Sequence, residues 1–226
     1  MSDSTLNRVV ASGTAAQRAA FTPSPATPAS GPAQGYIWYE TDTGLLWTWT
    51  GSVWTTIGGN PGLIKITEQT PSAAASVTFS SLGSYTHLRL LFSARGDTSA
   101  TSANLNVQFN GDTGSNYDRI GSQFTGTTPG STEGIGTTSA VMATIAAATA
   151  PANVPGVGDC TFYDYRGTSL QKSAICHNHY KLANSSTNVW FRTFAFSWRN
   201  AAAITSILIT PSAGNVTGKF SLYGMP

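Results

Sequence analysis

Asn188-Val189-Trp190-Phe191-Arg192-Thr193-Phe194-Ala195-Phe196-Ser197-Trp198-Arg199 is the stretch on which the fold turns. Trp190, Arg192, Phe194 and Phe196 alternate with their neighbours. In extended backbone, successive side chains point to opposite faces, so a period of two belongs to a strand. A helix would place apolar groups three and four residues apart. The same alternation recurs in Leu88, Leu90 and Phe92, and in Leu105, Val107 and Phe109. Turn formers such as Asn110-Gly111-Asp112 and Ala213-Gly214-Asn215 stand between the runs. Working outward, the pattern predicts strands near 62–68, 75–80, 86–95, 103–110, 119–125, 138–146, 159–166, 171–180, 188–199, 203–210 and 218–224. No stretch offers a long amphipathic helix. Residues 61–226 are therefore expected to form a jelly-roll-like β-sandwich. The segments 126–137 and 147–158 read as long, flexible loops, the usual places for contact at the ends of a sandwich.

Composition agrees with an all-β chain. Charged residues are 10% of the 226, against roughly 25% in ordinary globular domains. Hydrophobic residues make up 40%, which excludes disorder of the whole chain. The polarity comes from neutral Thr and Ser, and 23 Gly supply turns. A net charge of +2 with no block of like charges argues against nucleic-acid binding and against electrostatic attachment to a membrane. The uncharged stretch between Glu133 and Asp159 is too rich in Gly, Pro and Thr for a transmembrane helix, so no membrane insertion is expected. Met1-Ser2-Asp3-Ser4 is not a cationic lead into an apolar core, and no secretory signal is expected.

Two regions precede the sandwich. Residues 1–34 end in a Pro/Ala/Ser stretch from Thr22 to Pro32. They read as an extended arm and stiff linker with a short helical turn near Ala15–Ala20, disordered on its own. Residues 35–60 hold an aromatic β-meander with strands near 36–40, 45–50 and 53–57. Its turns are Thr41-Asp42-Thr43-Gly44 and Gly51-Ser52. Trp38, Trp47, Trp49 and Trp54 are candidates for stacking on sugar rings. The plainer reading makes them the packing core of so small a unit.

The aromatic unit carries a resemblance. Gly35-Tyr36-Ile37-Trp38-Tyr39-Glu40-Thr41-Asp42-Thr43-Gly44-Leu45-Leu46-Trp47-Thr48-Trp49-Thr50-Gly51-Ser52-Val53-Trp54 resembles a module of tail-fibre and other particle proteins of tailed bacteriophages. Gly13-Thr14-Ala15-Ala16-Gln17-Arg18 with Pro23 looks like the lead-in to that module. Asn110-Gly111-Asp112 with Asn116-Tyr117, Tyr163-Asp164-Tyr165 and Phe220-Ser221-Leu222-Tyr223-Gly224 are similar to small phage β-domains. The resemblance implies a virion structural protein assembled in the host cytoplasm, a homotrimer, and attachment to other virion proteins through the arm. Leu6, Val9, Val10, Arg18 and Phe21 are the expected particle-anchoring residues. It leaves open a short fibre contacting host surface glycan and a capsid decoration or head-fibre protein. A bacterial carbohydrate-binding module is the reading outside that family.

Catalytic signatures are missing: there is no nucleophile elbow, P-loop or dinucleotide fingerprint. Asp112 with Asp118, and Asp159 with Asp164, are the carboxylate pairs, and neither has convincing acid–base spacing. No enzyme activity and no cofactor are expected. His177 and His179 share one strand face. In a threefold fibre they could bring six imidazoles to a metal; the simpler reading is two half-exposed strand histidines. If 159–166 and 171–180 form a hairpin, residues pair when their numbers sum to 336, and Cys160 faces Cys176. A cross-strand disulfide is then geometrically open. The reducing host cytoplasm favours two buried free thiols.

Overall fold

The computed structural model describes residues 10–20, 37–41, 45–50, 52–57, 62–125, 128–182 and 189–226. The chain divides into two compact units, Met1–Pro61 and Gly62–Pro226.

In the first unit, β1 (Val10–Gly13), α1 (Ala15–Ala20), β2 (Ile37–Glu40), β3 (Leu46–Trp49) and β4 (Trp54–Thr56) follow one another. The sheet order is β1-β2-β3-β4. The three meander strands are antiparallel, and β1 adds in parallel beside β2. The described part of the arm, residues 10–20, is thus built into the meander's sheet instead of standing free. Thr14 caps α1: its hydroxyl accepts the Gln17 N–H at 3.3 Å, and the Gln17 side chain accepts the Thr14 N–H at 2.8 Å. This reciprocal box satisfies two donors that a helix start would leave bare.

The second unit contains β5 (Ile64–Gln69), β6 (Val77–Phe79), β7 (His87–Gly96), β8 (Ser102–Phe109), β9 (Tyr117–Thr125), β10 (Thr128–Thr137), β11 (Ala140–Ala146), β12 (Gly156–Tyr163), β13 (Lys172–Lys181), β14 (Val189–Trp198), β15 (Ile207–Pro211) and β16 (Val216–Met225). Eight strands form one sheet in the order β10-β9-β14-β13-β12-β7-β16-β5. Four form the other, β11-β8-β15-β6. All the pairings are antiparallel. The chain is an all-β sandwich in this unit, and its strands pass repeatedly from one sheet to the other.

Alternation places the core. Leu88, Leu90 and Phe92 of β7 and Phe194, Phe196 and Trp198 of β14 face Leu105, Val107 and Phe109 of β8, all buried. Phe109 is the hub, with its ring centroid 5.7 Å from Phe162, 6.1 Å from Phe196 and 5.6 Å from Trp198. Asn110 and Gly111, both at positive φ, turn the chain after β8, as a type I′ turn requires. At Gly158 a β-carbon would run into the His177 carbonyl and the Phe92 ring, so only glycine fits there.

Two expectations are corrected. The segment 126–137 is not a flexible loop: residues 128–137 are β10, paired with β9 from Thr128↔Thr125 through Thr137↔Tyr117. Gly, Thr and Pro suggested a loop, but β10 ends its sheet, where Pro129 and several glycines are tolerated. The cysteines are not free thiols. The expected register holds from Val157↔His179 to Tyr163↔Ser173, and Cys160 lies opposite Cys176. Both side chains point into the core, and their sulfurs are joined in a disulfide.

Candidate functional site

Inward-facing residues of β14 build the core, and the intervening ones face outward. Normally the solvent side of an antiparallel sheet is polar. Here it is not. Register aligns Ile120, Ala195, Ile175 and Thr161 in one outward row across β9, β14, β13 and β12. Ser122, Thr193, His177 and Asp159 form the next, then Phe124, Phe191, His179 and Val157. Ile120 is 58% exposed, Phe124 50%, Phe191 46% and Ile175 39%. On β10, Ile135 reaches 69%. A shallow hollow of about 550 Å³ lies on this face, walled by Ile120, Ile135 and Ile175 over Ala195, Ser173 and Ser197. Large exposed apolar patches mark contact surfaces.

Two carboxylates beside the patch are matched within the chain, whereas Glu133 and Arg119, which line the hollow, are in none of the ion pairs among the described residues. Asp118 pairs with Arg199 at 3.5 Å and accepts the Gly136 N–H at 2.8 Å. Asp159 pairs with Arg89 at 3.3 Å and lies 4.0 Å from His177 Nδ1. The His177 ring stacks on Phe191, centroids 6.5 Å apart. His177 and His179 do share the outward face of β13. Among the described residues, no group of three or more His, Cys, Asp or Glu is placed to hold a metal ion. Towards the other edge, Lys65 first, then Lys219 and Ser221, bind the Glu68 carboxylate and pull its pKa down to about 2.

Three of the four candidate carboxylates, Asp112, Asp118 and Asp159, are bonded within the chain. Asp112 accepts the Trp198 indole N–H at 2.6 Å, the Asn116 amide and the Gly114 N–H. The Trp198 bond, before the others, holds its carboxyl below the usual range. Asp164 lies past the end of β12, and its N–H donates to His87 Nδ1 at 2.9 Å. Arg192 places its guanidinium over Trp190 at 4.7 Å and donates to the Thr144 hydroxyl at 2.7 Å. It serves strand packing, with burial pushing its pKa down.

In the first unit, register places Trp38 opposite Trp47 and Trp49 opposite Trp54, all on one face. Trp38 is buried and the other three are half-buried. Trp49 lies 5.4 Å from Trp54, and Trp38 6.3 Å from Trp54. Buried Glu40 accepts the Trp47 indole N–H at 2.6 Å. Arg18 stacks on Trp47 at 3.8 Å and pairs with Glu40 at 3.5 Å. Arg18 therefore fastens α1 to the sheet. Val10 opens β1, whereas Leu6, Val9 and Phe21 lie outside the described residues.

No protein family, curated protein or solved structure matches this chain. No helix among the described residues is long and apolar enough to cross a membrane.

The outward patch is what reading the sequence missed. Its signal was in the opening stretch itself: Val189, Phe191 and Ala195 are apolar at the positions that alternate with the core-facing set. A strand apolar on both faces within an antiparallel sheet has two surfaces to cover.

Proposed function

We propose that this chain is a structural component of a tailed-phage particle, a short trimeric fibre held by its N-terminal segment and contacting host-surface glycan. The observation that carries the reading is the set of exposed apolar side chains on the open face of the large sheet, Ile120, Phe124, Ile175 and Phe191 with Ile135 beside them. Such a face works by contact and not by chemistry. The aromatic unit with its capped lead-in supports the same reading through its resemblance to phage fibre modules. The half-buried rings of Trp49 and Trp54 are the sugar-stacking candidates there.

A capsid decoration or head-fibre protein is the second reading, favoured by a compact chain without heptad repeats. Immunogold labelling of intact particles with antibody to residues 61–226 separates the two. Gold at the tail or collar supports the fibre, and gold over the head supports decoration. No label on any particle overturns both and returns the chain to a cellular carbohydrate-binding module.

A further inference from the structure

We propose that Asn110 is the deamidation site of this chain, and that its fastening to residues 203–206 keeps it unreacted while the sandwich is closed. The inference does not depend on the particle reading. Asn110-Gly111 is the one Asn-Gly pair in the sequence. Asn110 follows β8 and is exposed, so water and base reach it. Gly111 has no β-carbon to shield its nitrogen, and the space where one would stand is empty. The step is a ring closure followed by hydrolysis. The Gly111 nitrogen attacks Asn110 Cγ and forms a C–N bond. The Cγ–Nδ2 bond breaks, and ammonia leaves with the proton given up by Gly111. Water then opens the five-membered imide at either carbonyl, giving aspartate or isoaspartate. Water is consumed and ammonia released; nothing is oxidised or reduced.

Two features of the fold oppose the attack. Asn110 and Gly111 stand at φ 53° and 69°, in a turn closed by the Asp112 N–H on the Phe109 carbonyl at 2.9 Å. Ring closure needs the Asn110 ψ rotated well beyond a right angle from its value in a type I′ turn. The side chain is also tied down. Its Oδ1 accepts the Thr205 N–H at 2.7 Å, the Thr205 hydroxyl at 3.0 Å and the Ser206 N–H at 3.1 Å, and its Nδ2 donates to the Ala203 carbonyl at 2.8 Å. The Asn110 backbone N–H donates to the Ser206 carbonyl at 3.1 Å. Three donors on Oδ1 would steady the negative charge that attack places there, but only with the Gly111 nitrogen aligned on Cγ. In this turn they fix the amide on residues 203–206 instead. Reaction therefore waits for the turn to leave those residues. With four side-chain bonds at ordinary net strength, that open state is rarer than about one in a hundred. An isoaspartate carries an extra methylene in the main chain and no longer fits the turn, so the change runs one way.

The test is the rate of conversion at Asn110 in the full-length chain, held in warm, mildly alkaline buffer. The native wild type is compared with the wild type unfolded in urea and with native Thr205→Val, which lacks one donor to Oδ1. Peptide mapping by mass spectrometry counts the product, one mass unit heavier, and chromatography separates isoaspartate from aspartate. Near-UV circular dichroism checks folding. The expected result is conversion roughly a hundredfold slower in the native wild type than in urea, and about fivefold faster in T205V than in the native wild type. A native rate equal to the rate in urea overturns the proposal. So does a native rate above it, which would mean that the three donors promote the attack. A folded T205V that converts no faster than the wild type also overturns it. If T205V loses its spectrum, exchange of the Thr205 and Ser206 amides in the wild type takes its place. Their protection should match the slowing of deamidation within about tenfold, and amides that exchange as freely as in urea overturn the proposal.

Discussion

Arg95, at the end of β7, organises the 147–155 loop, and replacing it should loosen that loop measurably. Its Nη1 donates to the Pro151 and Val154 carbonyls at 2.7 and 3.0 Å, and its Nη2 to Ala150 at 2.8 Å. A longer bond of 3.4 Å reaches Ala148. Bonds from a charged donor lie at the strong end of the range, but water can partly replace those near the surface, leaving about 1 kcal/mol each. Three good bonds give about 3 kcal/mol for Arg95→Ala, or a melting point lower by roughly 6–12 °C in a domain of this size. Arg95→Lys should recover less than half, because one ammonium cannot match a planar fork serving several carbonyls. Calorimetry gives the melting shift. Hydrogen exchange gives its location: the Ala148 and Thr149 amides, bonded to the Thr98 and Ala100 carbonyls, should exchange faster in the alanine variant. A melting point within about 2 °C of wild type, with unchanged exchange at those amides, would refute the reasoning.

Three further outcomes are expected. Because Asp112 has a lowered folded pKa, its contribution is complete above the ordinary value of 3.8 and is lost as pH falls through the folded value. Acid titration below 3.8 should therefore change Trp198 fluorescence, and Asp112→Asn should abolish that step. The non-reduced protein should weigh two hydrogens less than the reduced one, and reduction should cost about 3 kcal/mol, the scale for closing a loop of this length; equal masses would disprove the Cys160–Cys176 bond. Thr14→Ala should weaken α1 by about 1 kcal/mol and release Arg18 from Trp47, read as altered tryptophan emission; unchanged emission and melting would mean the capping box contributes nothing.

What could be read in advance depended on how local the determinant was. Strand alternation is local, so Leu88, Leu105 and Phe194 declared the core directly. The pairing of Cys160 with Cys176 was legible because paired antiparallel residues keep one constant number sum along the ladder, and that sum holds although residues 164–171 form a longer connection than a tight turn. Its oxidation was not, since spacing sets geometry and says nothing of redox surroundings. The strand at 128–137 was hidden because its glycines and Pro129 are suited to an edge, and edge position is a property of the assembled sheet. The parallel pairing of β1 with β2 links residues 27 apart along the chain, Val10 to Ile37, and leaves no periodic trace. Its anchor did leave one: Thr14-x-x-Gln17 is a capping box in plain sequence. The outward patch lies between these cases. Phe191 and Ala195 were visible as apolar residues, yet only the register across β9, β14 and β13 assembles them with Ile120, Phe124 and Ile175 into one surface. A residue spaced for the core and a residue spaced for a partner look alike within one strand. Which face remains open is decided by the second sheet, and the smaller sheet here can cover only one side of the larger.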